Sequence, residues 1–413
     1  MSELLSVTEA QRFILKDFKP TEPHKVPLEQ ASRRILAEDI YSLLDLPLFA
    51  NSSMDGFAVH SSDIASATRE NPVLLTVVGD IPAGKHQHIK VAEGQAARIM
   101  TGAPLPEDCD AVVPIEHTRY ESLESDQVLP GRVEILKPAG PGDSIRPVGQ
   151  DLRKGDLIMT RGTRLEPQQI GMLATLGFSM VSVHRMPRIA VFSSGDELVP
   201  AGELLQPGKI FDSNTPMLVS LLEKYSAEVI NLGIAVDNQE AIRKVFNRAI
   251  SKKVDLILSS AGVSVGSFDF VRSLVQKEGE ITLWRVNMRP GKPLAYGSYQ
   301  HIPFIGLPGN PVSAYMGFEI FVRPVLMKLQ GRLSWQRPTI QVEIEESIKS
   351  DGRESYLRAI VHNRNGKWFG KLTGHQGSGN LSSLVQANAL LLIPSEVKSL
   401  PVGAQVDGWL LDE

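Results

Sequence analysis

The rhythm of apolar and polar positions changes several times along this chain. From Val7 to Phe18 apolar residues recur at helical spacing, which predicts an amphipathic helix. Leu28 to Ile40 predicts a second, with Leu28, Ala31, Ile35 and Leu36 roughly along one face. From Val73 to Leu136 short β-rich runs (Leu74–Val78, Ala111–Ile115, Val133–Leu136) alternate with Gly/Pro turns such as Ile81-Pro82-Ala83-Gly84 and Gly102-Ala103-Pro104, the pattern of a small β domain. A Pro/Gly cluster from Pro138 to Gly142 reads as its exit, and a helix over Pro167–Leu176 follows.

From Arg188 to Gly331 strands and helices alternate. The predicted order is Ile189–Ser193, Pro216–Tyr225, Glu228–Ile234, Glu240–Ile250, Leu256–Ser260, Phe270–Lys277, Leu283–Val286, Phe304–Leu307 and a long helix over Val312–Leu329. Ala241, Ile242, Val245, Phe246, Ala249 and Ile250 keep a 3.6-residue period, whereas Leu256–Leu258 is a continuous apolar run suited to a strand buried on both faces. Such alternation predicts a doubly wound, mostly parallel sheet that binds ligands at the carboxyl ends of its strands. The tail from Pro338 is β-like again. Thr339–Ile344 alternates, Asn365-Gly366 is a type I′ hairpin signal, and Ala389–Ile393 is an apolar strand.

With 413 residues the chain is too long for one compact core, and 42% apolar residues with a formal charge of −4 describe an ordinary globular composition. The slightly acidic balance does not suggest a dedicated nucleic-acid binder. A single cysteine, Cys109, excludes an intrachain disulfide and suits a reducing compartment. No apolar run is long enough to span a bilayer as a helix, and the first residues lack a signal-peptide pattern. The expectation is a soluble cytoplasmic protein of several domains.

The candidate chemistry lies where the predicted strands end. Ser193-Ser194-Gly195-Asp196-Glu197 follows one strand, Asp237 another, and Ser259-Ser260-Ala261-Gly262-Val263-Ser264-Val265-Gly266, then Asp269, a third. Carboxylates converging on one rim with phosphate are a usual way to hold Mg²⁺, whereas each alone reads as a cap for the next helix. In Gly306-Leu307-Pro308-Gly309-Asn310-Pro311-Val312, Asn310 is placed as N-cap and Pro311 as the first helical residue, leaving amides for an anion. Arg289-Pro290-Gly291-Lys292-Pro293 sets two cations on a stiff turn, suited to an oxyanion or to solvent alone.

No Walker-type loop, dinucleotide fingerprint or zinc spacing is present. A rival signal is Gly262-Val263-Ser264-Val265-Gly266, which matches the nucleophile elbow of serine hydrolases. Ser264 would be the nucleophile, and His301, His362 or His375 the base.

Several ordered runs resemble the molybdopterin molybdenumtransferases, including the corresponding domain of gephyrin. They are Asn51-Ser52-Ser53-Met54-Asp55-Gly56-Phe57-Ala58-Val59, Arg98-Ile99-Met100-Thr101-Gly102-Ala103-Pro104-Leu105-Pro106, Asp110-Ala111-Val112-Val113, and Gly142-Asp143-Ser144-Ile145-Arg146 with Gly149-Gln150-Asp151. Ser194-Gly195-Asp196-Glu197-Leu198, the 262–266 run, the 289–293 turn and 306–314 continue the order. Ala261 stands where the family usually has Gly, and Ser267 where it usually has Asp or Glu.

The resemblance implies four domains: an elongated discontinuous one (1–50 and 140–186), an inserted β-rich one (51–139), a three-layer α/β molybdopterin-binding one (187–332) and a C-terminal β-barrel (333–413). It implies a homodimer with the active site shared between subunits. The implied catalytic residues are Asp55, Thr101, Asp151, Glu197, Asp237 and Asp269. Glu197, Asp237 and Asp269 would hold Mg²⁺. Substrate would meet Ser194, Gly262, Ser264, Arg289, Lys292, Pro308, Asn310, Pro311 and Ser378. The implied reaction inserts molybdate into adenylyl-molybdopterin and releases AMP, with the substrate handed over by a molybdopterin adenylyltransferase. Adenylyltransferase activity in the chain itself is the alternative that shares the α/β unit.

Overall fold

The computed structural model describes residues 4–84, 88–120, 129–260 and 269–411. By their contacts they form two units, one of Met1–Glu38, Arg161–Ala174 and Phe178–Glu413, the other of Asp39–Thr160 with Thr175–Gly177.

The second unit is built on a six-stranded sheet in the order Ala111–Pro114, Gly56–Val59, Gln95–Ile99, Val73–Ile81, Arg132–Ile135, Thr118–Arg119. Alternate residues supply two apolar clusters. Phe57, Val59, Val113 and Val133 pack on one, Ala58, Ala97, Ile99 and Val112 on the other. Close pairing leaves no room for a side chain at Gly56, where an added Cβ would sit 2.0 Å from the Val113 carbonyl oxygen.

The first unit opens with helix α1 (Val7–Leu15). Ser6 and Glu9 cap it reciprocally: the Glu9 amide donates to Ser6 Oγ and the Ser6 amide to Glu9 Oε2. The helix expected over Leu28–Ile40 is absent. Leu28–Gln30 makes one 3-10 turn, after which Ile35 bridges Arg164 and Leu36 bridges Val183. The Leu36 amide donates to the Thr163 carbonyl, and the Ile35 carbonyl accepts from the His184 amide. Helical spacing was outweighed by these long-range ladder bonds, which an isolated short helix could not match.

The α/β region follows as β1 (Arg188–Ser194), α2 (Asn214–Lys224), β2 (Glu228–Ala235), α3 (Gln239–Ser251), β3 (Leu256–Ser260), α4 (Asp269–Glu278), β4 (Gly279–Arg285), β5 (Pro293–Tyr299), β6 (Ile302–Leu307) and α5 (Pro311–Gly317). The sheet order is β2-β1-β3-β6-β5-β4. The four strands β2, β1, β3 and β6 are parallel; β5 and β4 join antiparallel. Strand β5 went unread in the sequence because Pro293, Gly297 and Ser298 break its apolar run.

Successive sheet residues face opposite layers. Ile189, Val191, Leu256, Leu258, Ile305 and Leu307 join α1, α2 and α5 in one core. Ala190, Phe192, Ile257 and Phe304 meet α3 and α4 in the other. There Phe246 touches Phe192, Tyr299 and Phe304, with ring centroids 5.7, 4.8 and 5.5 Å away.

The rod expected over Val312–Leu329 is interrupted. A π-turn at Phe318–Val322 joins α5 to a further helical segment, Arg323–Leu329. Pro324 has no N–H for the Ile320 carbonyl, and the Gln11 side chain donates to that oxygen instead, at 2.7 Å.

The tail closes into a barrel of β7 (Ile340–Ile344), β8 (Glu354–Arg364), β9 (Lys367–Leu372), β10 (Ala389–Ile393) and β11 (Gln405–Leu410), in the order β8-β9-β7-β11-β10 with β10 pairing back to β8. Asn365 (φ 52°) and Gly366 (φ 82°) turn β8 into β9, as their pairing in sequence required.

Candidate active site

The carboxyl ends of β1, β3 and β6 open on a cavity of about 630 Å³. Its wall carries Glu197 and Leu198 from the β1 end, Ser260 from β3, Pro308, Gly309 and Asn310 after β6, and Arg289 to Pro293. The Gln376-Gly377-Ser378 loop from the barrel region completes it. Of the residues read from the sequence, Glu197, Arg289, Lys292, Pro308, Asn310 and Ser378 therefore meet on one cavity, and Pro311 opens α5 beside it.

The acidic side gathers at the β1 and β2 ends. The Asp237 amide donates to Asp196 Oδ1 at 3.1 Å. Burial pushes the Asp237 carboxyl above its ordinary pKa, and the charges of Asp196 and Glu197 push the same way. Ser194 is buried at the end of β1. The helix-cap alternative is taken by another residue, since Asp212 Oδ1 accepts from the amides of Asn214 (3.0 Å) and Thr215 (3.1 Å) at the start of α2.

Asp269 opens α4, but its side chain lies outside the described set, as do Gly262 and Ser264 and the departures Ala261 and Ser267. Among the described residues no group of three His, Cys, Asp or Glu is spaced to enclose a metal. The donor set nonetheless suits Mg²⁺, which commonly uses only one or two carboxylates together with substrate phosphate and water. A crowded, unneutralised carboxylate such as Asp237 is the kind of group a cation would relieve.

The cationic side is anchored to the barrel region. Asp351 holds Arg353 at 2.5 Å and Arg289 at 3.7 Å. Hydrogen bonding from Arg353, with its charge and that of Arg289, keeps the Asp351 carboxyl below the usual range. Lys292 lines the cavity directly.

The helix end differs from the expectation. Asn310 is the N-cap residue, but its side chain donates to Ser378 Oγ at 2.9 Å, and the Val312 amide donates to the Ser378 carbonyl at 3.1 Å. One amide foreseen for an anion is thus spent on holding Ser378.

Two positioning residues were not foreseen. Asn214, buried at the start of α2, ties two strand ends: its Nδ2 donates to Ser260 Oγ and to the Gly309 carbonyl, both at 2.7 Å. Arg358 on β8 is fully buried and organises the barrel loop. Its guanidinium donates to Ser383 Oγ (3.0 Å) and to the carbonyls of Gln376 (3.2 Å) and Gly377 (3.0 Å). Burial, helped by the Arg289 charge, pushes its pKa down to about 10. The sequence signal was faint: one arginine in the otherwise apolar run Tyr356–Val361.

In the second unit, Asp55 and Thr101 stand together. Asp55 Oδ1 accepts from the Thr101 amide at 2.7 Å and from its hydroxyl at 2.9 Å, which lowers the carboxyl pKa. Asp151 is exposed on a turn, its amide donating to the Leu46 carbonyl.

The topology also weighs on the hydrolase reading. His301 lies in the β5–β6 turn, at the opposite end of β6 from Leu307, which pairs with Ser260. The β3 end that leads to Ser264 is therefore remote from that histidine.

Three family models match in sequence order: the MoeA N-terminal region (domain I and II) over residues 5–177, a probable molybdopterin binding domain over 190–328, and the MoeA C-terminal region (domain IV) over 341–411. A protein of Haemophilus influenzae named molybdopterin molybdenumtransferase is 36% identical over 407 residues, covering 98% of each chain. The chain belongs to the molybdopterin molybdenumtransferase family. A Nostoc relative with the same name is 40% identical over 376 residues, 89% of this chain and 84% of that one. The crystal structure of a molybdopterin biosynthesis MoeA protein from Pyrococcus horikosii superposes with a TM-score of 0.81 at 32% identity, covering 99% of both chains. In this molybdopterin molybdenumtransferase family member, no helix among the described residues is long and apolar enough to cross a membrane.

Proposed function

We propose that this chain inserts molybdate into adenylyl-molybdopterin and releases AMP, a step of molybdenum-cofactor biosynthesis carried out in the cytoplasm. The observation that carries the reading is one cavity at the strand ends, with Glu197 near Asp237 and Asp196 on its acidic side and Arg289 and Lys292 on its cationic side. An adenylylated substrate and a molybdate dianion need both kinds of surface.

In this reading Glu197 and Asp237, with Asp269, would hold Mg²⁺. The bound ion would neutralise the pyrophosphate link and polarise the bond that releases AMP. Lys292 and Arg289 orient molybdate through charge and donor geometry, and Ser378 adds a hydroxyl fixed by Asn310. Asn214 and Arg358 keep the wall in register. Holding the reactants together supplies much of the rate, and no side-chain nucleophile is required. Roles for Asp55, Thr101 and Asp151, a homodimeric state, and delivery of substrate by a molybdopterin adenylyltransferase belong to the same proposal.

The test supplies adenylyl-molybdopterin, Mg²⁺ and molybdate to the purified chain and follows AMP release with molybdenum bound to the pterin. Molybdate-dependent release with metal insertion is expected, and Glu197→Gln and Asp269→Asn should stay folded with little transfer. Full transfer by both variants would overturn the assigned roles. Pyrophosphate release from ATP would instead identify an adenylyltransferase.

A further inference from the structure

A second cleft, of about 310 Å³, lies in the first unit away from the catalytic cavity and shares none of its lining residues. Six cationic side chains line it: Arg33, Arg164, Lys224, Arg323, Arg332 and Arg337. The carboxylates that neutralise them are few. Glu319, in the π-turn, pairs with Arg337 at 2.8 Å and approaches Arg323 at 4.0 Å. Glu166 pairs with Arg164 at 3.2 Å.

Arg323 also donates to the Trp335 carbonyl at 2.9 Å, and Arg337 to the Leu410 carbonyl at 2.8 Å and the Tyr225 hydroxyl at 3.0 Å, yet donors remain unspent elsewhere in the cleft. Among the described residues neither Arg33 nor Arg332 makes a side-chain hydrogen bond or ion pair, and Glu166 acts on Arg332 only at a distance. The Nε atoms of Arg323 and Arg337 are buried with no hydrogen-bond partner, on side chains that are 10% and 5% exposed. Burial, together with the charges of Arg164 and Arg323, lowers the Arg332 pKa.

Helix-end capping does not account for this cluster. The carbonyls just beyond α2, of Tyr225 and Ser226, are met by the Gln330 side chain. Lys224 reaches the Leu411 carbonyl and Lys328 that of Leu15. Arg33 and Arg332 are left facing the cleft.

Unpaired guanidinium groups that share a concave wall repel one another and carry unsatisfied donors. An anion with several oxygens relieves both at once, because each planar fork matches two phosphate oxygens. The volume is at the lower end for small-molecule sites, roughly 300–1,000 Å³, which favours a compact ligand. We propose that this cleft is a second anion site for a small diphosphate, either free pyrophosphate or the diphosphate of a nucleotide.

The test is calorimetric titration of pyrophosphate into the full chain at physiological salt, without Mg²⁺. Lys292→Gln weakens oxyanion binding in the catalytic cavity, so the second site should persist as one saturable event in that background. Adding Arg332→Gln should weaken it by about 10-fold or more, the loss of one charge-assisted contact of about 1.4 kcal/mol. Arg332→Lys should fall between the two. If Arg332→Gln melts early, Arg33→Gln on its exposed turn replaces it, with the same loss expected. Displacement by ADP would assign the site to nucleotide diphosphates, and its failure to free pyrophosphate; both support the site. Absence of saturable binding in the Lys292→Gln background would overturn it, as would binding that neither Arg33→Gln nor Arg332→Gln changes. These outcomes do not depend on molybdenum transfer.

Discussion

Replacing Arg358 with methionine asks how much of the strand-end cavity depends on one buried guanidinium. The side chain makes hydrogen bonds at 3.0, 3.2 and 3.0 Å to Ser383, Gln376 and Gly377, and methionine fills much of the same volume with no donor. At the lower figure of about 1.5 kcal/mol for each bond from a charged donor, the three amount to about 4.5 kcal/mol. Part of this returns, because no carboxylate partner offsets the buried charge among the described residues. A net destabilisation of about 2 kcal/mol is expected.

The functional effect should be larger in proportion. The freed carbonyls belong to the residues just before Ser378, which holds both Asn310 and Val312. A displacement of about 1 Å at a positioning group costs roughly 100-fold in rate. Urea unfolding gives the stability change from the midpoint at constant slope. The transfer assay, run well below that midpoint, gives the rate. Ser383→Ala is the control: it removes the bond from Arg358 and the one the hydroxyl donates to the Asn380 carbonyl, about 2 kcal/mol together, while the two loop carbonyls stay held, and it should keep most of the transfer rate. An unchanged midpoint for Arg358→Met would refute the stabilising role. A lowered midpoint with full transfer would refute the positioning role.

Asp237 makes a prediction about pH. Its folded pKa is raised, so the folded chain holds this proton more tightly than the unfolded chain. That contribution is complete below the ordinary carboxylate value of about 3.9 and is lost as pH rises through the folded value. Melting between pH 4 and 8 should show the decline in wild type, a shallower one in Asp237→Asn, and a recovery with Mg²⁺ only in wild type; identical profiles would count against the acidic cluster. Phe246→Ala should cost about 3–5 kcal/mol in urea unfolding, because the ring is fully buried against three aromatic neighbours that cannot all close the gap.

Much of the fold was legible because its causes are local. β3 reads as an apolar run because both its faces are covered, α3 shows its single buried face as a 3.6-residue period, and Asn365-Gly366 accepts the positive φ its turn demands. The strand-end residues were legible for a related reason, since a parallel sheet brings its carboxyl ends to one edge. Leu28–Ile40 marks where local reasoning stops. Its helical spacing is real, but pairing with Arg164 and Val183, far along the chain, makes it extended. Nor does spacing reveal that Asn310 turns its side chain to Ser378, that Asn214 ties two strand ends, or that Arg358 carries a loop by its carbonyls. Periodicity reports which face of an element avoids water. Which polar atoms then meet, and which cations are left without partners, is settled only when elements distant in sequence pack together, because hydrogen bonds and charges act over a few ångströms of space and not along the chain.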